Sequence, residues 1–355
     1  MKLYNILVFI LLLISFIFSC KTKDKTSSNL IENPRGDFRI MFYNVENLFD
    51  TYDDPQKNDD EFLPEGTRYW SNYRMYDKLR NISKVIVAIG EWETPEIIGF
   101  CEIENRFVLE KLVENSPLVN LNYKIIHFES PDRRGIDVGI IYNSNRFKPL
   151  FKQAIEVVFP YDTARKTRDI LYVKGVLGNE DTVHVFVNHW PSRYGGQMVS
   201  EPGRITAAGI VRKKVDSIMQ SSPLANIVIT GDFNDEPENI SMSKILRANT
   251  KLENFSDTSL YNIAAHLLEK GRGTHKYQGN WGVLDQFIVP GTMITGKSTL
   301  NLKPNNMHVF EADFLLEKDE NAAGNQPFRT YVGFKYNGGF SDHLPVYIDL
   351  FKSGK

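Results

Sequence analysis

Short apolar runs, separated by Gly, Pro, Asn and Asp, recur along the chain from residue 38 onward. Apolar runs of about four to eight residues that are bounded by turn-forming residues are typical of buried β-strands. The pattern predicts strands over residues 38–43, 97–101, 123–128, 137–142, 170–177, 182–188, 226–230, 284–289 and 345–350.

Helical periodicity occurs in fewer places. Apolar residues spaced by three and four predict helices over residues 73–90, 203–220 and 240–250. Predicted helices alternate with strands in the two halves of the chain, whereas strands in the middle follow one another directly. This order favours an α/β domain with mixed sheets over a doubly wound parallel sheet.

The first 20 residues follow a different pattern. Lys2 precedes an apolar run over residues 6–18, which ends at Ser19 and Cys20. This is the pattern of a secretory signal peptide, and the run is shorter than the ~20 apolar residues of a spanning helix. The sequence IFSC (17–20) resembles a bacterial lipobox, which implies that Cys20 carries a lipid. Simple cleavage near Ser19 with an incidental cysteine is the alternative.

These patterns predict three segments. Residues 1–19 are predicted to be a signal peptide, and residues 20–36 a lipidated tether, because the tether is polar and has no hydrophobic period. Residues 37–352 are predicted to form one domain, since no short repeat divides them. We therefore expect an exported, membrane-anchored lipoprotein of a bacterial cell envelope, on the periplasmic or surface face, and a monomer.

Composition and charge narrow the functional classes. With 42% hydrophobic and 24% charged residues, the chain is ordinary for a globular protein. A net charge of −2 gives no basic excess of the kind that non-specific nucleic-acid binders often carry. It leaves open an enzyme that reaches phosphates through a metal ion. Cys101 is the only cysteine after Cys20, so the mature domain has no internal disulfide.

Several apolar runs end in side chains that bind metals or phosphates. Taken singly, such residues commonly do no more than start a turn. Ligands of open α/β sheets bind beyond the strand ends, so the shared position favours convergence on one site. The residues are Asn44, Glu46, Glu102, Asn188, His189, Arg193, Asp232, Asn234, Asp285, Asp342 and His343.

The chemistry of this set favours particular reactions. Carboxylate and amide oxygens, without a cysteine cluster, favour Mg²⁺, Mn²⁺ or Ca²⁺ over zinc. A histidine supported by an aspartate suits the stabilisation of an oxyanion. A divalent ion with His and Asn donors suits in-line attack of water on a phosphoryl group. Acyl transfer is poorly supported, because the chain has no Gly-x-Ser-x-Gly elbow.

Six motifs occur in order within residues 38–351: NVENLFD, GFCEIEN, NHWPSR, GDFND, VLDQFIV and SDHLPV. Together they resemble the endonuclease/exonuclease/phosphatase superfamily, in its deoxyribonuclease-like bacterial branch. The resemblance implies an α/β four-layer sandwich, in which two mixed β-sheets pack face to face with helices on the outside. It also implies a divalent-metal-dependent phosphoesterase, and more narrowly a phosphodiesterase or endonuclease that hydrolyses a nucleic-acid backbone.

The resemblance implies a metal site. Glu102 would be the main ligand, with Asn44, Glu46 and Asp342 as further ligands. The expected ion is Mg²⁺ or Mn²⁺, with Ca²⁺ as an alternative.

The resemblance also implies a set of catalytic residues. Asp232 would orient or deprotonate the attacking water, and Asn234 would position this water and the phosphate. His343, paired with Asp285, would contact the phosphate and stabilise the transition state. His189 would do the same from another side.

Three arginines are candidates for binding the substrate phosphate, because the guanidinium fork suits phosphate geometry. Arg134 lies where some nucleases of the superfamily have a tyrosine. Arg193 and Arg204 lie in HWPSRYGGQMVSEPGR (189–204), which is predicted to be a Gly-rich loop. A solvated arginine without a role is the alternative in each case. Asp235 and Glu236, outside the matched motif, are predicted to be turn or surface residues.

Two other functions remain open from the sequence. A sphingomyelinase, or another hydrolase of lipid, sugar or inositol phosphates, would share the chemistry. An enzyme acting on lipids would need an exposed aromatic hairpin, for which YQGNWGV (277–283) is the candidate. A catalytically silent binding lipoprotein belongs to another class, and it would tolerate loss of Glu102, Asp232, Asn234 or His343, all of which are present.

Overall fold

The structure is a computed structural model, and it describes residues 35–178 and 181–353. The predicted signal peptide, most of the predicted tether and Cys20 lie outside the described residues. Among the helices that the structure describes, none combines the length and the apolar character needed to cross a membrane.

The described part of the chain contains five α-helices. They are α1 (Asn72–Gly90), α2 (Arg106–Glu114), α3 (Gln197–Ser221), α4 (Ala265–Glu269) and α5 (Gly291–Ile294). Ser71 caps α1 by accepting a hydrogen bond from the Arg74 N–H group. Short 3₁₀ turns cover Asp60–Phe62, Pro117–Asn120 and Asp313–Leu315, and a π-helical segment covers Ser241–Leu246.

The strands are numbered here in chain order. They are β1 (Phe38–Leu48), β2 (Ile97–Ile103), β3 (Tyr123–His127), β4 (Asp137–Asn143), β5 (Phe147–Ile155), β6 (Ile170–Leu177), β7 (Asp181–His189), β8 (Asn226–Asp232), β9 (Ala248–Asn249), β10 (Leu260–Asn262), β11 (His275–Tyr277), β12 (Asn280–Gly282), β13 (Asp285–Pro290), β14 (Leu300–Asn301), β15 (Met307–Val309), β16 (Leu316–Lys318), β17 (Asn325–Pro327), β18 (Tyr331–Val332), β19 (Lys335–Tyr336) and β20 (Val346–Lys352).

Two large sheets are both mixed. The first has the order β14-β20-β1-β2-β4-β3, with β15 also pairing with β20, and the second has the order β5-β6-β7-β8-β13-β10-β9. Strand β1 runs parallel to β2 and antiparallel to β20. Strand β8 runs parallel to β7 and antiparallel to β13. Three two-stranded hairpins, β11-β12, β16-β17 and β18-β19, form separate small sheets.

The two sheets pack face to face, with helices on the outside. Alternation along β8 shows this arrangement, because successive side chains of a strand point to opposite faces. Val228 belongs to the main core, which combines residues of both sheets. Ile227 and Ile229 belong to a second core, together with Ala207 and Val211 of α3. The predicted four-layer sandwich is therefore confirmed.

All nine predicted strands are present, but some other elements differ from the prediction. Strand β5 was not predicted, because it is an edge strand whose side chains are largely exposed and show no apolar period. Helix α2 was not predicted either, since it has only 9 residues. The predicted helix over 240–250 is wrong: the π-helical segment ends at Leu246, the next residue, Arg247, has a left-handed φ of 58°, and β9 follows.

Helix α3 starts earlier than predicted. It begins at Gln197 and continues through Pro202, so the second half of the predicted Gly-rich loop is helical. Only residues 190–196 remain as a loop between β7 and α3.

Candidate active site

Strands from both sheets end at one rim of the sandwich and bring polar side chains together there. In the parallel pair β7–β8, His189 lies opposite Asp232, and in the antiparallel pair β8–β13, Asp285 also lies opposite Asp232. In the first sheet, the parallel pair β1–β2 brings Asn44 beside the residue that precedes Glu102. The strand register therefore accounts for the approach of five predicted site residues.

Asp232 is the residue that joins the two sheets at this rim. Its Oδ2 atom accepts a hydrogen bond from Asn44 Nδ2 at 3.1 Å. The same oxygen lies 3.7 Å from His189 Nε2 and 3.9 Å from His343 Nε2. Its Oδ1 atom accepts a hydrogen bond from the Asn234 backbone N–H at 2.9 Å. Burial raises the pKa of Asp232 to about 7.

Glu102 reaches the same point from the first sheet. Its Oε1 atom accepts a hydrogen bond from Asn44 Nδ2 at 3.2 Å and lies 3.9 Å from His189 Nε2. Its Oε2 atom accepts a hydrogen bond from the Asn47 backbone N–H at 3.0 Å. The φ angle of Glu102 is 59°, a strained value for a residue with a side chain, at a register shift between β2 and β4. Such bulges redirect a side chain and are common beside functional sites.

His343 is held in one orientation by its neighbours. Its Nδ1 atom lies 2.7 Å from Asp285 Oδ2. Its backbone N–H donates to Ser341 Oγ at 3.1 Å, and that hydroxyl donates to the carbonyl of Asn44 at 2.7 Å. Burial lowers the pKa of His343, but the carboxylates of Asp285 and Asp232 more than offset this effect, and the pKa lies well above its ordinary value. These carboxylates therefore favour the protonated form of the ring.

The surroundings of His189 shift its pKa in the opposite direction. Burial, together with the charges of Arg168 and Arg134, lowers the pKa of His189 well below its ordinary value. Its Nδ1 atom is buried and has no hydrogen-bond partner among the described residues. The surroundings thus favour a neutral His189 and a protonated His343, and the Nε2 atoms of both rings lie within 4 Å of Asp232 Oδ2.

Glu46 and Asp342 form a second group of carboxylates, and Arg329 joins them. Arg329 Nε donates to Glu46 Oε1 at 3.1 Å, and its Nη2 atom donates to Asp342 Oδ2 at 3.0 Å. The backbone N–H of Thr330 donates to Glu46 Oε2 at 2.6 Å, and Lys78 Nζ donates to the Glu46 carbonyl at 3.1 Å. Burial and the charge of Asp342 raise the pKa of Glu46 to about 7.

The sequence reasoning missed Lys78 and Arg329. Lys78 had a signal in the sequence, because it lies on the apolar face of α1 with Met75, Leu79 and Ile82, where a lysine is unusual. Arg329 had no such signal, since it lies outside the six motifs.

The three candidate arginines occupy different environments. Arg204 is completely buried, and its Nε atom lies 2.8 Å from Oδ2 of an equally buried Asp235. Its guanidinium is therefore engaged inside the protein and is not part of the substrate site proposed below. The prediction that Asp235 is a turn or surface residue is wrong, because its carboxylate is the buried partner of this ion pair.

Arg193 and Arg134 are more accessible. Arg193 Nε donates to the Asn234 carbonyl at 2.8 Å, and 36% of its side chain is exposed. Arg134 has 52% of its side chain exposed and lies 3.6 Å from Asp132. Its charge affects His189, as noted above. Glu236 is half-buried, and its Oε2 atom accepts a hydrogen bond from the Val283 N–H at 3.0 Å.

The donor set fits a hard divalent cation. The rim collects five carboxylates, and Lys78, Arg329 and the ring of His343 lie close to them. The raised pKa values of two carboxylates mark an excess of negative charge in a poorly solvated region. Oxygen donors of this kind are the ligands that Mg²⁺ and Mn²⁺ prefer. The five carboxylates are Glu46, Glu102, Asp232, Asp285 and Asp342.

A sequence profile of the endonuclease/exonuclease/phosphatase family matches residues 39–352. The chain belongs to this family. The resemblance inferred from the six motifs is thus confirmed. Members of this family are phosphoester hydrolases that generally use divalent metals, so the comparison supports a phosphoesterase. No curated protein matches the sequence.

Solved structures of family members share the fold. The human Nocturnin catalytic domain with bound sulfate is 17% identical to this chain, with a TM-score of 0.54. The alignment covers 89% of this chain and 94% of the Nocturnin chain. D. rerio TDP2 complexed with a single-strand DNA product is 14% identical, with 88% and 98% coverage and a TM-score of 0.53. Bacteroides thetaiotaomicron mannosyl-6-phosphatase is 14% identical, with 88% and 99% coverage and a TM-score of 0.52. At these identities the likeness shows the fold alone.

Proposed function

We propose that this family member is a divalent-metal-dependent phosphodiesterase of endonuclease type, which hydrolyses a nucleic-acid backbone by in-line attack of water. One observation carries the proposal: Asp232 is contacted by Asn44 from one sheet and lies within 4 Å of both His189 and His343. The complex of D. rerio TDP2 with a DNA product supports a nucleic-acid substrate by analogy.

Asp232 and Asn234 prepare the water. Asp232 is fixed by hydrogen bonds to both of its oxygens, so its carboxylate is oriented to accept a proton from the water. Asn234 binds Asp232 through its backbone and is itself held by the Trp190 carbonyl, which accepts from Asn234 Nδ2 at 3.1 Å. The Asn234 amide is therefore positioned beside the attacking water.

His343 and His189 stabilise the phosphate. Because Asp285 binds Nδ1 of His343, the Nε2 atom of this ring is left to donate to a phosphate oxygen. His189 offers a neutral ring from the other side of Asp232. Donors fixed before the reaction stabilise the charge that develops in the transition state without further reorganisation.

Glu102 and Asn44 would hold the divalent ion, with Glu46 and Asp342 beside them. When bound, the ion polarises the phosphoryl group and neutralises the charge of the site. Glu102 has no Lys or Arg partner among the described residues, whereas Glu46 and Asp342 share Arg329. This difference supports Glu102 as the main ligand. Arg134 contributes positive charge from the rim.

The test is a hydrolysis assay with the full chain and Mg²⁺, Mn²⁺ or EDTA. The substrates are plasmid DNA, RNA, a single-stranded oligonucleotide, sphingomyelin and a panel of phosphomonoesters. We expect metal-dependent cleavage of nucleic acid that is absent from Asp232→Ala. Glu102→Gln should abolish turnover, whereas Glu238→Gln, an exposed carboxylate nearby, should not. Hydrolysis of lipids or phosphomonoesters alone would contradict the proposed nucleic-acid substrate. The absence of hydrolysis of every substrate would favour a binding protein.

We further propose that the chain is an exported lipoprotein, which a lipid on Cys20 anchors to the membrane. We also propose that it is a monomer. The support for the lipid anchor is the sequence of residues 1–20. The variant Cys20→Ser should leave the membrane fraction in a bacterial host that processes lipoproteins. Continued membrane association of the variant would contradict the lipid anchor.

A further inference from the structure

A cavity of about 770 Å³ opens directly beside the proposed reaction centre. It is lined by Asn234 of that centre and by His275, a neighbour of His343. The Asn234 N–H binds Asp232, and the ring of His275 packs against the ring of His343 with 4.6 Å between their centroids. A chemical group in the cavity would therefore lie next to the phosphate that is attacked.

One wall of the cavity is the loop between β7 and α3. Arg193 fixes this wall, because it donates to the Asn234 carbonyl at 2.8 Å and to Asn239 Oδ1 at 3.1 Å. The next residue, Tyr194, lines the cavity, and 91% of its surface is exposed. The loop thus presents the Tyr194 ring to the cavity, and the hydrogen bonds of Arg193 hold the loop in place.

The hairpin β11-β12 is a second wall of the cavity. Residues of a strand alternate between its faces, so Tyr277 shares a face with His275 while Lys276 points the other way. Lys276 accordingly pairs with Asp319 at 2.7 Å, away from the cavity. Tyr277 lines the cavity and is 67% exposed. Neither Tyr194 nor Tyr277 is paired with another aromatic ring among the described residues.

Glu236 provides a hydrogen-bond acceptor between the two walls. Its Oε2 atom is engaged by the Val283 N–H, but its Oε1 atom accepts no hydrogen bond from the described residues. Gly282 leaves room beside this oxygen, since a Cβ atom on Gly282 would lie 2.8 Å from Oε1. The cavity thus combines two exposed aromatic rings with an unengaged carboxylate oxygen.

We propose that this cavity binds an unpaired nucleobase next to the scissile phosphate. Tyr277 and Tyr194 stack on the base, and Glu236 Oε1 accepts a hydrogen bond from a base N–H or amino group. The proposal rests on the proposed phosphodiesterase activity and adds a preference for single strands, because a paired base must first leave the duplex. Stacking also suits a chain of net charge −2, since it provides affinity that does not depend on contacts between cations and phosphates.

The experiment compares a single-stranded oligonucleotide with versions that carry an abasic tetrahydrofuran residue at each position around the cleavage site. We expect abasic substitution at one position to raise KM of the full-length wild-type enzyme about tenfold. Tyr277→Ala should raise KM for the natural strand by a similar factor and have no further effect on that abasic strand. Tyr277→Phe should retain the wild-type KM, because it keeps the ring.

The matched control is Tyr73→Ala, which removes a tyrosine that is 74% exposed and does not line the cavity. Equal KM values for all abasic strands, or equal effects of Tyr277→Ala and Tyr73→Ala, would overturn the cavity proposal while the nuclease assignment stood. Absence of any nucleic-acid cleavage by the wild type would instead overturn the proposed function.

If the wild type cleaves no nucleic acid, ligand binding to the cavity is tested by calorimetry. The protein is the Asp232→Asn variant, and the ligands are a deoxynucleoside 5′-monophosphate and mannose 6-phosphate. Tighter binding of the nucleotide, weakened about tenfold by Tyr277→Ala, would support a base-binding cavity. Tighter binding of the sugar phosphate would overturn it.

Discussion

The Nδ1 atom of His343 lies 2.7 Å from Oδ2 of Asp285, and both side chains are buried. Asp285 is on β13 of the second sheet, whereas His343 lies just before β20 of the first. The contact therefore fixes a ring from one sheet by a carboxylate from the other, and it leaves Nε2 as the reactive donor. Geometry of this kind makes the aspartate a positioning residue for the histidine.

We predict that Asp285→Asn lowers kcat by ~10²-fold while KM changes little, because it removes the charge that keeps His343 protonated and oriented. Steady-state rates at saturating metal ion, over a range of pH, measure this effect. Asp257→Asn, an exposed aspartate that pairs with Lys297, is the control. A kcat close to that of the wild type would show that turnover does not require the protonated form of His343.

Much of the fold and of the site was predictable, for a local reason. The buried strands carry their own signal in continuous apolar runs, and the motif residues directly follow those runs. The edge strand β5 has no such signal, because its exposed side chains do not constrain the sequence. Arg329 contacts Glu46 across 283 positions of the chain, and no pattern of neighbouring residues reports a contact of that range.

Arg204 shows a different limit of the sequence. In the sequence, an arginine that follows a catalytic motif and binds a substrate phosphate cannot be distinguished from one that binds a buried carboxylate. Only the burial of Asp235, which the fold decides, distinguishes the two roles.

We predict that Arg329→Gln strengthens the binding of Mn²⁺ several-fold, because it frees the carboxylates of Glu46 and Asp342 from their shared cation. Calorimetric titration with Mn²⁺ and the rise of Tm with Mn²⁺ concentration measure this without substrate. Arg106→Gln, which removes an exposed arginine paired with Glu110, should leave Mn²⁺ affinity unchanged. Unchanged or weaker Mn²⁺ binding by Arg329→Gln would show that these carboxylates do not contribute to the metal site.

We predict that Arg204→Met lowers the free energy of unfolding by about 3–5 kcal/mol, because it removes the close, fully buried ion partner of Asp235 and leaves only the longer contact with Arg193 at 3.6 Å. Adding Asp235→Asn to this variant should recover part of the loss. Urea denaturation measures both effects, with Arg106→Met as the comparison, since the Arg106–Glu110 pair is exposed and its loss should cost less. A stable Arg204→Met variant that had lost activity would instead restore Arg204 as a phosphate-binding residue.

The stability of the protein in acid depends on His184, a residue outside the candidate active site. His184 is buried on β7, and its Nδ1 atom lies 2.7 Å from the Tyr172 hydroxyl. Burial, with the charges of Lys174 and Lys214, lowers the pKa of His184 from 6.5 to about 4. The folded state therefore keeps this ring neutral over a pH range in which the unfolded chain protonates it.

Between pH 6.5 and 4 the unfolded state binds the extra proton, so stability falls as the pH falls through this window, and His184 adds no pH dependence above it. At pH 5 the expected loss from this residue is about 2 kcal/mol. Urea unfolding of the wild type and of His184→Gln at pH 7.5 and 5.0 measures the loss as a difference of differences, because the other buried histidines contribute equally to both proteins. Equal losses in the two proteins would mean that His184 protonates in the folded state as readily as in the unfolded chain.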